Sequence, residues 1–391
     1  TPDNILNNFT INDGCTVDLG TSQWIREASG GTFTMNGNAK LILGNNQSIQ
    51  SNCGGGCHTG VTIPGSNFPG GFATLNISAN STIEYNAGST LTQTVYATPT
   101  YGNLILSNAN GTGNSSKIST GVVNISGTAT ISDKTTFTPG ADITVTGSMN
   151  VNSGGTLVCG TRTVSGTGTF SLLSGGTITM ASTAGIASYG ASGNIQTDNR
   201  SFSTGGNYTY NASSAQAIGN GMPNTVNNLT ISNSAGVSMY ASSSNYTVAG
   251  TLALTTGALN LNGDSLTINN LTRVSGTLTG SATSSVGVTG TNIPLFFTSG
   301  GRVLKNLFLN TNASADLQTT LDITAGSSPG SVSVGSGATL TTYSFLTLKS
   351  DANGTARVAE IPVDGSGNAL GTISGDVVVE RFIPAKRSWR M

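Results

Sequence analysis

One short phrase occurs four times along this chain. It reads "ILNNFTIN" at Ile5–Asn12, "TYGNLILSN" at Thr100–Asn108, "TVNNLTISN" at Thr225–Asn233 and "VLKNLFLNT" at Val303–Thr311. Internal repetition is the sequence signature of architectures in which each unit buries its apolar face only against its neighbours. The repeat therefore constrains the fold more than any other feature of the chain.

The second and third copies also share what precedes them. The lead-ins are "IEYNAGSTLTQTVYATPTY" (Ile83–Tyr101) and "YTYNASSAQAIGNGMPNTV" (Tyr208–Val226). Both contain Tyr-Asn-Ala, then small residues, a glutamine and a loop with proline. This extended similarity indicates that the phrase marks equivalent places in successive modules, which we expect to start near residues 7, 102, 227 and 305.

Short segments with strict alternation follow the phrases. Apolar residues at every second position predict half-buried strands. Two segments place the following residues inward: Ile143, Val145, Met149, Val151, Leu157 and Cys159, and then Leu252, Leu254, Leu259, Leu261, Leu266 and Ile268. The "SGG", "TTG" and "NGD" breaks between strands are turn sequences, because Gly and Asn accept positive φ. No helical period of comparable strength appears.

Many short strands with internal repetition predict an all-β fold, a right-handed parallel β-helix or solenoid of irregular repeats over residues 1–350. A coil of about 20 residues would give about 18 coils, stacked about 4.8 Å apart. A string of independent β-sandwiches that share one strand motif is the alternative.

Composition narrows the class of protein. Glycine accounts for 54 of 391 residues and charged residues for 8 %, against about 25 % charged in typical domains. A net charge of −1 gives no electrostatic attraction to nucleic acid or to an anionic membrane. No apolar run reaches the roughly 20 residues of a membrane span, and no leader peptide opens the sequence. The surface of Ser, Thr and Asn favours an extracellular location.

The repeats resemble those of large secreted cell-surface proteins of Bacteroidota. "NLTISN" after its Tyr-Asn and Gln lead-in, followed by "GTLALTTGALNLNGDSLTINN", carries the resemblance, and the tail "ISGDVVVERFIPAKRSWRM" (Ile373–Met391) adds to it. The resemblance implies an adhesin-like protein exported by the type IX secretion machinery, of which this chain would be a fragment. Ten charged residues lie between Asp351 and Met391, so we expect a C-terminal β cap or the start of a following domain at 351–391.

Catalytic carboxylates would be the signature of a polysaccharide hydrolase, because glycoside hydrolysis uses two carboxyl groups that flank the bond. Between Ala141 and Leu321 the acids are Asp142, Asp198, Asp264 and Asp316. Each is isolated in the sequence and most lie beside Gly or Asn, which favours turn-capping roles. Stacking of coils could still bring two of them together.

The segment "SNCGGGCHTGVTIPG" (Ser51–Gly65) holds His58, the one histidine of the chain. Cys53 and Cys57 could close a disulfide across the three glycines, remain free thiols, or join His58 around a metal. The spacing differs from the usual C-x₂-C of zinc sites. Cys15 is another possible partner, and Cys159 is predicted to be an inward thiol.

Two surface features suggest sugars. The triplet "DSL" (Asp264–Leu266) resembles the O-glycosylation signal of secreted Bacteroidota proteins, which makes Ser265 a candidate glycan site. Tyrosines in and near the lead-ins, Tyr208 and Tyr210 among them, could stack on glycans. Alternatively, they close gaps in the core. Outward rows of Thr also resemble ice-binding solenoids, but uneven module lengths argue against the flat face that ice binding needs.

These observations predict a non-enzymatic structural or adhesive stalk that displays or anchors other elements at the outer cell surface. They assign no catalytic residue, cofactor or metal. Surface glycans or other cell-surface proteins are the expected partners, with no nucleic acid and no membrane span. The alternatives are a polysaccharide lyase or hydrolase and a carbohydrate-binding β-helix.

Overall fold

The computed structural model describes residues 3–4, 7–22, 24–45, 67–109, 111–241 and 244–384. In these residues the protein is all-β with no helix, and its parallel strands stack into a β-solenoid of about 15 turns. The predicted solenoid is confirmed, and parallel pairing excludes independent antiparallel sandwiches. The turns are fewer than the 18 expected because many exceed 20 residues. No described helix is long and apolar enough to cross a membrane.

Two compact units divide the chain. The first comprises Thr1–Ser182 and Ile186–Asn207, and the second comprises Thr183–Gly185 and Tyr208–Met391. The predicted module starts near residues 7 and 102 fall in the first unit, and those near residues 227 and 305 fall in the second. Each unit therefore holds two copies of the repeated phrase.

In its described residues, the first unit contains twenty strands of two to twelve residues. They are β1 (Asp3–Asn4), β2 (Phe9–Ile11), β3 (Thr16–Asp18), β4 (Trp24–Met35), β5 (Lys40–Leu43), β6 (Gly70–Ile77), β7 (Thr82–Tyr85), β8 (Thr92–Val95), β9 (Thr100–Tyr101), β10 (Asn103–Leu106), β11 (Ser115–Ser119), β12 (Val123–Ile125), β13 (Thr128–Ile131), β14 (Thr135–Pro139), β15 (Ile143–Val145), β16 (Ser148–Val151), β17 (Thr156–Gly160), β18 (Val164–Leu172), β19 (Thr177–Met180) and β20 (Ile195–Phe202).

Three sets of strands form the walls of the first unit. In one, β4 pairs with β1, β2 and β6. The second is an eleven-stranded sheet in the order β3-β5-β7-β10-β13-β16-β18-β15-β12-β9, with β20 beside β18. In the third, β8, β11, β14, β17 and β19 pair in that order. A typical turn carries three strands, since β12, β13 and β14 pair with β15, β16 and β17 of the next turn.

The second unit contains the remaining strands. They are β21 (Asn207–Tyr210), which starts at the last residue of the first unit, β22 (Gln216–Ala217), β23 (Thr225–Val226), β24 (Asn228–Ser232), β25 (Val237–Ser238), β26 (Asn245–Thr256), β27 (Ala258–Asn260), β28 (Ser265–Arg273), β29 (Thr277–Thr279), β30 (Ser285–Val288), β31 (Ile293–Leu295), β32 (Val303–Leu304), β33 (Asn306–Leu309), β34 (Ser314–Leu317), β35 (Leu321–Ile323), β36 (Ser331–Val334), β37 (Thr339–Thr341), β38 (Leu346–Leu348), β39 (Arg357–Val358), β40 (Thr372–Ser374) and β41 (Val377–Val379).

Parallel stacking continues through the second unit. One sheet runs β24-β26-β28-β30-β33-β36-β39, and three others have the orders β22-β25-β27-β29, β31-β34-β37-β40 and β32-β35-β38-β41. Strands β39, β40 and β41 pair with β36, β37 and β38. The segment after residue 350 thus supplies strands to the same sheets as the preceding turns.

Inward side chains of successive turns form continuous apolar ranks. Leu104, Ala129, Met149 and Phe170 stand in register on four turns, and all are at most 2 % exposed. All twelve residues predicted to face inward are buried. The turn sequences also behave as expected, because Gly154 (φ 73°), Gly257 (φ 74°) and Asn262 (φ 51°) occupy the left-handed region in "SGG", "TTG" and "NGD".

Each copy of the repeated phrase contains an asparagine at the first position of its strand or directly before it. In all four copies the side-chain carbonyl accepts a backbone N–H from the next turn. The four bonds are Thr32 N to Asn8 Oδ1 (2.9 Å), Thr128 N to Asn103 Oδ1 (2.9 Å), Thr251 N to Asn228 Oδ1 (2.7 Å) and Ser331 N to Asn306 Oδ1 (3.2 Å). Asn103 also donates to Asn80 O of the previous turn, at 3.1 Å. The asparagine of each phrase therefore joins two neighbouring turns through its side chain, and we refer to this residue as a clamp.

Substitution of one clamp asparagine should weaken the contact between the two turns that it joins. Asn103→Ala is expected to cost about 1–3 kcal/mol, because it leaves the Thr128 N–H without its acceptor. Hydrogen exchange at Thr128, together with urea unfolding, measures the effect. Asn76→Ala, at an exposed position of β6, is the matched control. Equal effects of the two substitutions would contradict the clamp.

Candidate functional site

Cys53, Cys57 and His58 of the cysteine and histidine segment lie outside the described residues. The disulfide between Cys53 and Cys57 stays a prediction. Cys15 and Cys159 are free thiols. Burial raises the pKa of Cys159 to about 12, so this thiol stays protonated inside the core. Among the residues with described positions, no group of three or more His, Cys, Asp or Glu could hold a metal ion.

Two of the four isolated acids hold adjacent turns together. Asp142 Oδ1 accepts the N–H of Thr163 at 2.8 Å, and Asp264 Oδ1 accepts the N–H of Ser244 at 2.9 Å. Both bonds join residues about 20 positions apart in the sequence. The expectation of local turn capping is therefore refined, because these carboxylates cap the backbone of a neighbouring turn.

The structure corrects the suggestion that Tyr208 and Tyr210 stack on glycans. Both are inward residues of β21, 1 % and 0 % exposed respectively. The hydroxyl of Tyr210 donates to Ile218 O at 2.8 Å, and burial raises the pKa of both phenols. Neither ring presents a face to a ligand, so these tyrosines close the core.

Ser265 lies at the first position of β28 and is half-buried on the outer side of its sheet. It stands in register between Asn245 and Ser285 of the adjacent turns. Its neighbours Asp264 and Leu266 point inward and are buried. Glycosylation of Ser265 remains a prediction, and a glycan at this position would extend from the sheet face.

A tyrosine network fixes the lead-in loop of the first unit. The hydroxyl oxygens of Tyr85 and Tyr101 are 2.8 Å apart. Tyr101 donates to Tyr96 O, so Tyr85 must be the donor between the two phenols. The N–H of Tyr96 donates back to Tyr85 Oη at 3.1 Å. Tyr96 is thus held by both of its backbone polar groups, and its ring packs against Phe68 with centroids 5.0 Å apart.

Beside this loop lies an open cleft of about 350 Å³. The lining residues are uncharged; they include Phe72, Leu75 and Ile77 of β6, and Tyr96, Thr98 and Pro99 of the loop between β8 and β9. In the described part of the chain, β6 pairs with β4 alone, which leaves its other edge beside the cleft. Small-ligand pockets commonly have about 300–1,000 Å³. An aromatic wall with nearby threonines can hold a neutral ring with one apolar face.

The interior of the same unit contains a polar cluster. The side chains of Lys117, Gln93 and Ser115 are all 0 % exposed. Lys117 Nζ donates to Ala87 O at 2.8 Å and to Gln93 Oε1 at 2.9 Å, and Ser115 Oγ donates to Ala87 O at 2.7 Å. Burial lowers the pKa of Lys117 to about 7, although the nearby Glu84 acts to raise it.

The glutamine that the two lead-ins share makes the same hydrogen bond in both. Gln93 Oε1 accepts the N–H of Ala87 at 3.0 Å, and Gln216 Oε1 accepts the N–H of Ala212 at 3.2 Å. In each case the alanine belongs to the shared Tyr-Asn-Ala. Gln93 Nε2 also donates to Leu43 O at 2.7 Å, in an earlier turn. Both glutamines are buried, and each fixes the backbone of its lead-in by this hydrogen bond.

Sequence reasoning missed the roles of Gln93 and Lys117. The sequence carried a signal for Gln93, because glutamine recurs at matching places of both lead-ins. It carried none for Lys117, because alternation in "SSKIS" (Ser115–Ser119) predicts Ile118 to face inward, whereas Ser115, Lys117 and Ser119 are the buried residues. Most of the partners could not be found in this way: Ala87 lies six positions from Gln93, but the other bonds join residues 24 to 50 positions apart.

The cleft beside Tyr96 and the polar cluster around Lys117 differ in their access to solvent. The cleft is open to a ligand, whereas the polar cluster is buried and structural. Comparisons with protein-family models, with curated proteins and with solved structures found no match to this chain.

Proposed function

We propose that this β-solenoid is a non-enzymatic structural and adhesive segment at the outer cell surface, which displays or anchors other elements. In this proposal the chain is exported by the type IX secretion machinery, as its repeats and tail suggest by resemblance. Its partners are surface glycans or other cell-surface proteins. A solenoid suits this role because added turns extend it without a new core.

The observation that carries this proposal is that polar side chains form hydrogen bonds between neighbouring turns. Asparagines of all four phrases bond across turns, and so do Asp142 and Asp264. Asp142 and Asp264, two of the four acids that could serve a hydrolase, instead bond to the backbone of a neighbouring turn. Such reinforcement supports a mechanical role over a catalytic one.

The cleft favours a second candidate function, carbohydrate binding. Tyr96 is positioned by the Tyr85–Tyr101 network, and its cleft has an uncharged lining with aromatic and threonine side chains. A neutral saccharide could pack its apolar face on such a wall. This function would provide an adhesive contact within the same structural segment.

One experiment separates these functions from a polysaccharide lyase or hydrolase. The chain is incubated with a panel of polysaccharides, and released ends and bound protein are both measured. We expect no release of ends. Release that Asp142→Asn or Asp316→Asn abolishes would overturn the non-enzymatic proposal. Antibody labelling of intact cells tests the location, and labelling only after lysis would contradict a surface role.

Binding to the panel is then compared between two variants. Tyr96→Ala should weaken any saccharide binding at the cleft, whereas Tyr189→Ala should not, because Tyr189 is 75 % exposed and is not among the residues that line the cleft. Equal binding by both variants would remove the cleft from the adhesive function.

A further inference from the structure

Outward side chains on one wall of the first unit form two straight ranks. The wall consists of β8, β11, β14, β17 and β19, and each strand contributes residues i and i+2. The first rank is Thr92, Ser116, Thr136, Thr156 and Thr177; the second is Thr94, Ile118, Thr138, Val158 and Thr179. All but Ser116 are β-branched, and none is charged.

The spacing within this array is set by the β-sheet. Neighbours along a rank are about 4.8 Å apart, and the two ranks are about 6.6 Å apart, twice the rise per residue of a parallel strand. β-Branched side chains have few χ1 choices, so their methyl and hydroxyl groups hold fixed positions. The result is a rigid two-dimensional lattice of small uncharged groups.

Uneven module lengths do not disturb this lattice. From strand to strand, the first-rank residues Thr92, Ser116, Thr136, Thr156 and Thr177 are separated by between 20 and 24 positions. The first rank nevertheless keeps its register at every step, and the second keeps it from Thr94 to Thr138 and from Val158 to Thr179, because the extra residues lie outside these strands. The objection raised by the sequence, that irregular modules preclude a regular face, therefore does not hold for this wall.

Such regularity is not a general property of this solenoid. In the second unit, one rank along β28, β30, β33 and β36 reads Thr267, Gly287, Phe308 and Ser333. The Phe308 ring lies across Gly287, where an added Cβ would be 2.2 Å from Phe308 Cε2. The two ranks of the first unit thus hold only small or β-branched residues, seven of them threonine, whereas this rank of the second unit is interrupted by a phenylalanine.

We infer that the two-rank face of the first unit, referred to as the threonine face, binds the ordered water of an ice surface. Water in ice repeats in two dimensions on a scale of a few ångströms, and a rigid array of methyl and hydroxyl groups can bind many of its repeats together. The uncharged face does not impose the radial hydration of an ion. This activity goes beyond the proposed structural role and does not depend on it.

The side chains of this face favour ice over a crystalline polysaccharide. Recognition of sugar rings commonly uses aromatic side chains that stack on their apolar faces, and the ten residues of the threonine face include none. No charged or long polar side chain stands in either rank to form hydrogen bonds with individual sugar hydroxyls. The regular spacing of the side chains is therefore the property of this face that a ligand can recognise.

The test is the growth of single ice crystals in a solution of the 391-residue chain. We expect freezing below the melting point, faceted crystals, and enrichment of the protein in slowly grown ice. Thr136→Lys places a long charged side chain at the centre of the face and should abolish all three effects. Thr130→Lys, on β13 of the same turn but on another wall, should leave them intact.

Circular dichroism establishes that each variant is folded. If Thr136→Lys does not fold, Thr156→Ser removes a single methyl group from the same rank and should reduce the gap between freezing and melting. A folded wild-type chain with no effect on ice would overturn the inference. So would equal loss in Thr130→Lys and Thr136→Lys, or adsorption to microcrystalline cellulose in the absence of any effect on ice.

Discussion

Replacement of Gly147 by alanine is expected to destabilise the first unit by about 3 kcal/mol, the upper part of the usual range for overpacking. A Cβ at this position would lie 1.9 Å from Gly127 O and 2.6 Å from Ser126 O. Both oxygens belong to the backbone of the previous turn. Ser148 N donates to Gly127 O at 2.7 Å, so the two turns cannot separate without loss of that bond.

This position is one step in a column of glycines. Gly102, Gly127, Gly147 and Gly168 follow one another on successive turns, and a Cβ on any of them would come within 2.4 Å of a carbonyl oxygen of the preceding turn. Close approach of the backbone is thus a repeated property of this corner. A substitution there affects the stacking distance itself.

Urea unfolding and hydrogen exchange at Ser148 measure the effect of Gly147→Ala. Gly300→Ala is the control, because no atom beyond its own residue and its two chain neighbours lies within 4 Å of its added Cβ. We expect the control to unfold at nearly the wild-type urea concentration. A similar shift in both variants would show that the close approach at Gly147 can relax without cost.

The core of this protein was predictable because its information is local. Alternation alone placed Ile143 and Leu266 inward, since a strand turns every second side chain to the same face. Positive φ at Gly154 and Asn262 followed from turn chemistry for the same reason. These properties depend on a few neighbouring residues and on no knowledge of the partner strand.

Other features depend on which turns meet. The aromatic rings of Tyr208 and Tyr210 suggest a role in binding sugars at the surface, although alternation in "NYTY" places both side chains on one face of the strand. That this face is the inner one became clear only from their burial. The bonding of Asn103 and the crowding at Gly147 likewise require the register between turns. The repeats also did not indicate where one compact unit ends and the other begins.

The cleft beside Tyr96 was also beyond sequence reasoning. Its floor comes from β6 and its wall from a loop about 20 residues later. The sequence identified Tyr96 among the lead-in tyrosines but gave no means of separating it from the buried Tyr101. The structure separates them, because Tyr101 uses its hydroxyl to hold the backbone of Tyr96.

The second large effect concerns Lys117 and pH. Its amine has an ordinary pKa of 10.5, and burial lowers this pKa to about 7 in the folded chain. Between these values the unfolded chain binds a proton that the folded chain does not. Stability therefore rises with pH through this window, by up to about 1.4 kcal/mol per pH unit for one such group. From pH 7 to pH 9, we expect a contribution of about 2 kcal/mol.

Lys117→Met should remove that contribution. The substitution keeps a long side chain and leaves both former acceptors bonded, because Gln93 Oε1 retains the Ala87 N–H and Ala87 O retains Ser115 Oγ. We therefore expect the variant to be at least as stable as the wild type at pH 7, despite the loss of two hydrogen bonds.

Urea unfolding of the first unit at pH 7, 8 and 9 provides the measurement, with Lys305→Met of the second unit as the control. The wild type and the control should gain stability across this series, and Lys117→Met should lose the larger part of the gain. An unchanged slope in Lys117→Met would mean that the amine stays charged inside the core. The Lys117 cluster would then be a buried cation held by Ala87 O and Gln93 Oε1, with Glu84 nearby. Its neutral form would have no part in stability at these pH values.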